Sequence, residues 1–269
     1  MHAMRSMPAI FVPHGSPLFA LQPGAAGAAL SALAGSMGQP SAIVIVSPHW
    51  ETRIPTVGSA GLLETIHDFS GFDPALYQIR YAAKGSEPHA LEVATALRDA
   101  GFSIAIDPTR GLDHGAWIPL RHLYPETDTP IVPISIQHHG GPRHAHAIGR
   151  ALAPLRARGY LIIGSGNITH NLSDWQLAMH DAHVDTSYVR TFSDWIQDQL
   201  SEERIEALLD YRSSQPAGVR AHPRDEHLLP LFTAMGAGGA GTLGKAFHRG
   251  ISEQVLAMDG YVFESPFHS

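Results

Sequence analysis

Histidine is the residue best equipped to do chemistry in this chain. There are 18 of them, as many as lysine and arginine together, and no cysteine. Imidazole is the commonest protein metal ligand and the side chain that exchanges protons near neutral pH. The missing cysteines remove disulfides, thiolate metal sites and a cysteine nucleophile together. Position singles out a few of the histidines. His14 follows the run PAIFVP, His49 follows SAIVIVSP, and His170 ends YLIIGSGNITH. His227 sits beside Glu226 in HPRDEHLLPLF, and His114 sits in GLDHGAW. Taken singly, each strand-end histidine reads equally well as a turn residue. Three of them behind the same kind of apolar run point to a shared site for a metal or for proton transfer.

The elements that must deliver them can be read from the same stretches. Residues 8–15, 41–50, 129–137 and 160–170 are short apolar runs, rich in β-branched residues and without alternation. Strands buried on both faces of a parallel sheet look like this. Residues 88–101, 144–159, 186–202 and 226–239 read as helices, the first opened by Pro88 and closed by Gly101. The expected fold is α/β, a single domain over residues 1–269 with a mainly parallel central sheet flanked by helices. Ligands of such sheets bind outside the carboxyl ends of the strands, so the metal site is expected at that edge. Pro13 and Pro48 immediately precede His14 and His49, and both strands are expected to stop there. The GSGN segment is expected to give His170 a mobile loop.

Two further segments aim histidines inward. A helix expected from about Arg224–Glu226 would put His227 on one stripe with Leu231 and Ala234. Glu226 is rotated from that stripe by roughly 100°. The phase favours His227 as the ligand, with Glu226 as its support or its alternative. Asp113 reads as a helix N-cap, which is compatible with His114 facing a pocket. His67 is a weaker candidate. The pairs His138/His139 and His144/His146 lie among Gly, Pro and Arg and are expected to be solvated.

Composition excludes several classes. A net charge of −7 argues against nonspecific nucleic-acid binding. No apolar run approaches the roughly 18 residues of a membrane span. The first residues lack a signal-peptide core, so a cytoplasmic enzyme is expected. GSGNIT fails G-x-G-x-x-G, and neither G-x-S-x-G nor H-E-x-x-H occurs.

The segments FVPHGSP, SPHWE, TIHDFSGF with ALYQIRY, GLDHGAW, GSGNITHNL and DEHLLPLF occur in one order between residue 10 and about residue 236. In them the chain resembles the class III extradiol ring-cleavage dioxygenases, the protocatechuate 4,5-dioxygenase β-subunit superfamily, and within it the DOPA 4,5-dioxygenase-like branch. The resemblance implies that His14 and His49 bind metal. It also implies that His227 is the third ligand, where ring-cleaving relatives use glutamate. His170 corresponds to the acid/base histidine and, in some zinc-bound relatives, approaches the metal as a fourth ligand. His114 matches a second catalytic pocket histidine. The implied substrates are a catechol and O2, and the implied cofactor is Fe(II). A neutral third histidine departs from two histidines plus a carboxylate, so Zn(II) can also occupy such a site in purified protein.

The substrate-binding wall is expected from His67, Phe69, Phe72 and Trp117. Arg80 and Arg121 are isolated in the neighbouring segments, which favours a neutral, zwitterionic or monoanionic catechol over a doubly charged acid. Two other readings use the same residues: a non-catalytic relative that binds peptide or metal, and a zinc hydrolase.

Overall fold

The computed structural model describes residues 6–181 and 183–264. The central sheet is built from β1 (Ala9–Pro13), β2 (Ala42–Glu51), β3 (Thr56–Gly58), β6 (Ala105–Asp107), β7 (Ile131–Ile136), β8 (Tyr160–Gly166), β9 (Gly244–His248) and β12 (Gly260–Phe263). Two small ribbons stand apart, β4 (Leu62–Leu63) with β5 (Ala83–Lys84) and β10 (Ile251–Ser252) with β11 (Leu256–Ala257). Strand order in the sheet is β6-β3-β7-β2-β8-β1-β12-β9. The four central strands β7, β2, β8 and β1 are mutually parallel, so their carboxyl ends share one edge. Antiparallel β12 and β9 extend one side, and β3 runs antiparallel to β7 on the other. The α/β, mainly parallel expectation holds.

Helices cover both faces. They are α1 (Gly24–Met37), α2 (Glu87–Asp99), α3 (His114–Leu123), α4 (Gly141–Leu152), α5 (Leu172–His180), α6 (Ser187–Ser201), α7 (Ile205–Leu209), α8 (Tyr211–Ser214), α9 (Ala217–Ala221) and α10 (Leu229–Gly238). The glycines of β8 show how two of them meet the sheet. A Cβ on Gly164 would stand 2.0 Å from Pro230 O, and one on Gly166 would stand 2.2 Å from His227 O. Between them, Ser165 points the other way and donates to the Gly115 carbonyl of α3. Period-two alternation therefore places α10 on one face of β8 and α3 on the other. The GSG segment is thus buried strand, not a mobile loop, and its glycines are there because α10 and the chain leading into it come too close for side chains. No described helix is long and apolar enough to cross a membrane.

Three expected boundaries are corrected. β1 ends at Pro13, one residue before His14, as expected. β2 instead continues through Pro48 and His49 to Glu51. Its register against β7 jumps from Val46↔Ile134 to Glu51↔Ile136, a bulge of several residues. A bulge leaves backbone N–H groups out of the ladder, so Pro48 is tolerated there and His49 is re-aimed. The second correction concerns α10, which begins at Leu229 with Pro230 in its first turn. His227 lies in the turn before it rather than on the helical stripe. The third is the helix expected at 144–159, which starts earlier, at Gly141. His144 and His146 on it are half-buried rather than solvated, and His144 stands 3.2 Å from Gln137 Oε1.

Candidate metal centre and active site

Five histidines meet at the carboxyl edge of the parallel strands. The chain leaving β1 brings His14, the bulge of β2 brings His49, and the segment after β8 brings His170. His114 opens α3, and His227 comes from the turn ahead of α10. The strand ends are tied together by backbone: His14 N donates to Gly166 O at 3.2 Å and Asn167 N to His227 O at 3.1 Å. Gly15 N donates to Asn167 Oδ1 at 3.0 Å. His227 therefore owes its position to these bonds and to the bare backbone of Gly166, not to helical phase.

Four of the five rings are held by the Nδ1 side. His14 is fully buried and its Nδ1 stands 3.1 Å from Ser165 Oγ. Because the Ser165 hydroxyl donates to Gly115 O, it can only accept from His14, which fixes the proton on Nδ1 and leaves a lone pair on Nε2. His227 Nδ1 is 2.9 Å from Glu226 Oε1. Asp68 serves two rings: its Oδ2 is 3.0 Å from His114 Nδ1 and 3.4 Å from His49 Nδ1, and its Oδ1 accepts from His114 N at 2.8 Å. A carboxylate behind Nδ1 orients a metal-binding imidazole and raises its basicity. Asp113 caps α3 as expected, accepting from Ala116 N at 3.2 Å. Gly115 has no room for a side chain, since a Cβ there would meet His49 Cδ2 at 2.7 Å.

Electrostatics keep His14, His49, His170 and His227 neutral. Burial, reinforced by the neighbouring histidines, holds His14 and His227 well below the ordinary histidine value. Burial and His114 lower His49 to about 3, against the opposing pull of Asp68. His170 is likewise lowered to about 3, by burial and then by His49 and His114. Burial works against ionisation of Asp68, but its bonds to His114 and the nearby rings outweigh it and bring the carboxyl to about 2. Burial raises Glu226. Neutral imidazoles and one firmly ionised carboxylate are the protonation states a cation needs.

The geometry fits an ion. His14 Nε2 and His49 Nε2 face each other at 3.4 Å. Two metal–nitrogen bonds of about 2.0–2.1 Å at a tetrahedral angle span roughly 3.3–3.4 Å. Ring centroids are 5.3 Å apart for His14–His49, 5.3 Å for His14–His227 and 4.9 Å for His49–His227, a nearly equilateral triangle. Imidazoles bound through Nε2 at such distances have centroids roughly 4.5–5.3 Å apart. The donor atoms that lie within 4.8 Å of one another form two groups, His14–His49–His114 and His170–Glu226–His227, so the triangle of ring centroids draws its third ring from the second group. His170 stacks on His227 with centroids 3.4 Å apart and planes inclined by 7°. In-plane lone pairs of two parallel rings do not meet at one point.

A cavity of about 250 Å³ opens over the histidines. His49, His114, His170, Glu226 and His227 form its polar floor, and Phe69, Phe72, Leu172, Trp175 and Leu256 its walls. Phe69 meets Phe72 and His114 edge-on, with centroids 5.8 and 5.5 Å away. His67 and Trp117, expected in the wall, are not among the residues lining it. Trp117 is fully buried and donates its indole N–H to Ile66 O at 3.1 Å; His67 turns its Nε2 to Ile79 O at 3.1 Å. Both pack behind the wall rather than on its surface. Sequence reasoning missed Asp68, although it stands next to His67 in TIHDF, and it missed Trp175 on α5. Asn171, which caps α5 by accepting from Asp174 N at 3.0 Å, was the available cue that a helix begins directly after His170.

Comparison with known proteins follows the same direction. Residues 9–263 match the family described as the catalytic LigB subunit of aromatic ring-opening dioxygenase. The chain is 38% identical over 228 residues to a 4,5-DOPA dioxygenase extradiol of Beta vulgaris, covering 84% of both chains. It is 34% identical over 235 residues to a protein of the same name from Escherichia coli strain K12, covering 86% of this chain and 85% of that one. A crystal structure of an uncharacterized protein from Escherichia coli K12 superposes with a TM-score of 0.79 at 27% identity, covering 96% of this chain and 99% of the other.

Proposed function

The chain belongs to the family of catalytic LigB subunits of aromatic ring-opening dioxygenases, and we propose that it holds Fe(II) through His14, His49 and His227 and cleaves a singly substituted catechol. Its reaction is extradiol cleavage: the ring opens beside the diol, and one O2 is consumed per ring to give a muconic semialdehyde-type product. The observation that carries the ligand choice is the triangle of three neutral imidazoles, two of them with Nε2 atoms 3.4 Å apart. Glu226 then serves His227 through Nδ1, which supports His227 rather than Glu226 as the ligand. The metal, when bound, supplies Lewis acidity to the catechol oxygens and electrons for dioxygen.

The residues divide the remaining work. His170 is neutral and lines the cavity, so it can accept the proton of a catechol hydroxyl and return it later. Its parallel stack on His227 supports a role off the metal. His114, with Nδ1 turned to Asp68, presents Nε2 to the cavity as a second proton acceptor. Phe69 and Phe72 hold the flat ring and exclude water. A cytoplasmic setting, where iron stays reduced, suits this chemistry.

The test is anaerobic reconstitution with Fe(II), followed by a catechol panel monitored for oxygen uptake and yellow semialdehyde absorbance. Expected is one O2 per catechol, with DOPA-like or alkyl catechols exceeding protocatechuate and gallate in kcat/KM. Absence of uptake with every catechol overturns the reading, and it is also what a zinc hydrolase would give. A tenfold advantage for gallate or protocatechuate overturns the substrate preference alone.

A further inference from the structure

The mouth of the cavity has a chemistry of its own. Beyond the histidine floor it is built from Pro17, Phe69, Phe72, Leu172, Trp175 and Leu256. Among the described residues no lysine or arginine lines it. Arg224, which reaches Glu226 on the floor, is already engaged: it pairs with Glu51, and its Nε stands 3.3 Å from Glu226 Oε2. Leu172 is 57% exposed although it stands at a cavity rim, so apolar surface is left there for an occupant to cover. Met179, one helical turn beyond Trp175 on the same side of α5, is 62% exposed and continues that apolar ground outward.

This wall is fixed in place. Glu253 accepts from the Trp175 indole N–H at 2.6 Å with one carboxylate oxygen and from the Ser16 hydroxyl at 2.6 Å with the other. It does so from a turn in which Glu253 and Gln254 both take left-handed backbone, with φ of 49° and 63°. Non-glycine residues hold that conformation only where their surroundings impose it. The carboxylate thus spans the mouth and sets Trp175 as a preorganised apolar face, while adding negative charge behind it.

From this wall we propose that the substrate is a catechol whose substituent is uncharged and apolar, an alkyl or aryl group of several carbons, in preference to an amino-acid, amine or carboxylate side chain. The proposal rests on the extradiol reading above and narrows its substrate. A carboxylate at the mouth finds no cationic partner in the lining, with Glu226 on the floor and Glu253 behind Trp175. An ammonium brought to Glu226 meets Arg224 as a like charge. A zwitterion loses water at both ends with one poor partner and none, whereas an apolar group gains from burial against Leu172 and Trp175.

The experiment uses Fe(II)-loaded enzyme kept anaerobic and titrated calorimetrically with catechol, 4-methyl-, 4-ethyl- and 4-propylcatechol, DOPA, dopamine and 3,4-dihydroxyphenylacetate. Oxygen is then admitted to each mixture. Affinity is expected to rise roughly two- to fourfold per methylene along the alkyl series. Each charged catechol is expected to bind at least tenfold more weakly than propylcatechol. Leu172→Ser, read as the ratio of propylcatechol to unsubstituted catechol so that any general loss cancels, should bring that ratio toward one. A flat alkyl series, or DOPA or dopamine binding as tightly as propylcatechol, overturns the proposal. Oxygen consumption is a separate readout: an intact alkyl series without uptake counts against ring cleavage and leaves the apolar mouth standing.

Discussion

At the scale of single residues, the site is a division of labour among chemically identical side chains, made by what stands behind each ring. Ser165, Asp68 and Glu226 hold Nδ1 atoms, so the opposite nitrogens turn inward. His14→Ala, His49→Ala and His227→Ala should each lower iron stoichiometry measured by atomic absorption. His170→Ala should keep its iron and lose roughly 10²- to 10⁴-fold in kcat, the usual contribution of an acid/base group. Iron lost in step with activity would make His170 a ligand instead. Asp68→Asn should weaken iron binding by roughly 10- to 100-fold, as loss of a carboxylate behind a ligand does; unchanged affinity would reduce Asp68 to capping His114. His14, His49 and His114 were legible in the sequence because proline or glycine brackets each one. Asp68 was not, since an acidic residue beside a histidine is ordinary in a loop and its two partners lie 19 and 46 positions away.

At the scale of elements, glycine spacing rather than loop freedom connects β8 to the site. Gly164 and Gly166 accept the backbone of Pro230 and His227, and Gly149 of α4 accepts Thr233 of α10. Gly166→Ala forces the His227 carbonyl away, and overpacking of this kind costs about 1–3 kcal/mol. It should lower Tm and iron affinity together, whereas Gly61→Ala, with open space around it, should change neither. Calorimetry and metal titration of the two variants check this. The strands of the parallel core were readable from their unbroken apolar runs. The continuation of β2 past Pro48 was not, because a bulge depends on its partner β7, and local sequence carries only the proline's veto. Likewise Trp117 and Trp175 look alike in sequence; which one reaches the cavity is decided by how α3 and α5 pack.

At the scale of the whole molecule, burying neutral histidines links stability to pH and to metal. His49 and His170 titrate near 3 in the fold but near 6.5 when unfolded. Between those values the unfolded chain binds protons that the fold refuses, so stability rises with pH across the window and falls on acidification below 6.5. The slope approaches about 1.4 kcal/mol per pH unit per group. Asp68, brought to about 2, keeps its contribution above the unfolded value of 3.8 and loses it only as pH falls toward 2. Metal-free protein should therefore show a Tm that drops from pH 7 to pH 5, and a pH-independent Tm would contradict neutral burial. Saturating metal should raise Tm at pH 7, by about 2.7 kcal/mol of stabilisation at a hundredfold excess over Kd. The second effect depends on an ion held where three imidazoles converge. Anomalous diffraction at the iron edge, from crystals grown anaerobically with Fe(II), locates it directly. The expected peak lies about 2.0–2.2 Å from Nε2 of His14, His49 and His227 and away from His170. A peak bound instead by His170, Glu226 and His227, or by His14, His49 and His114, contradicts the assignment.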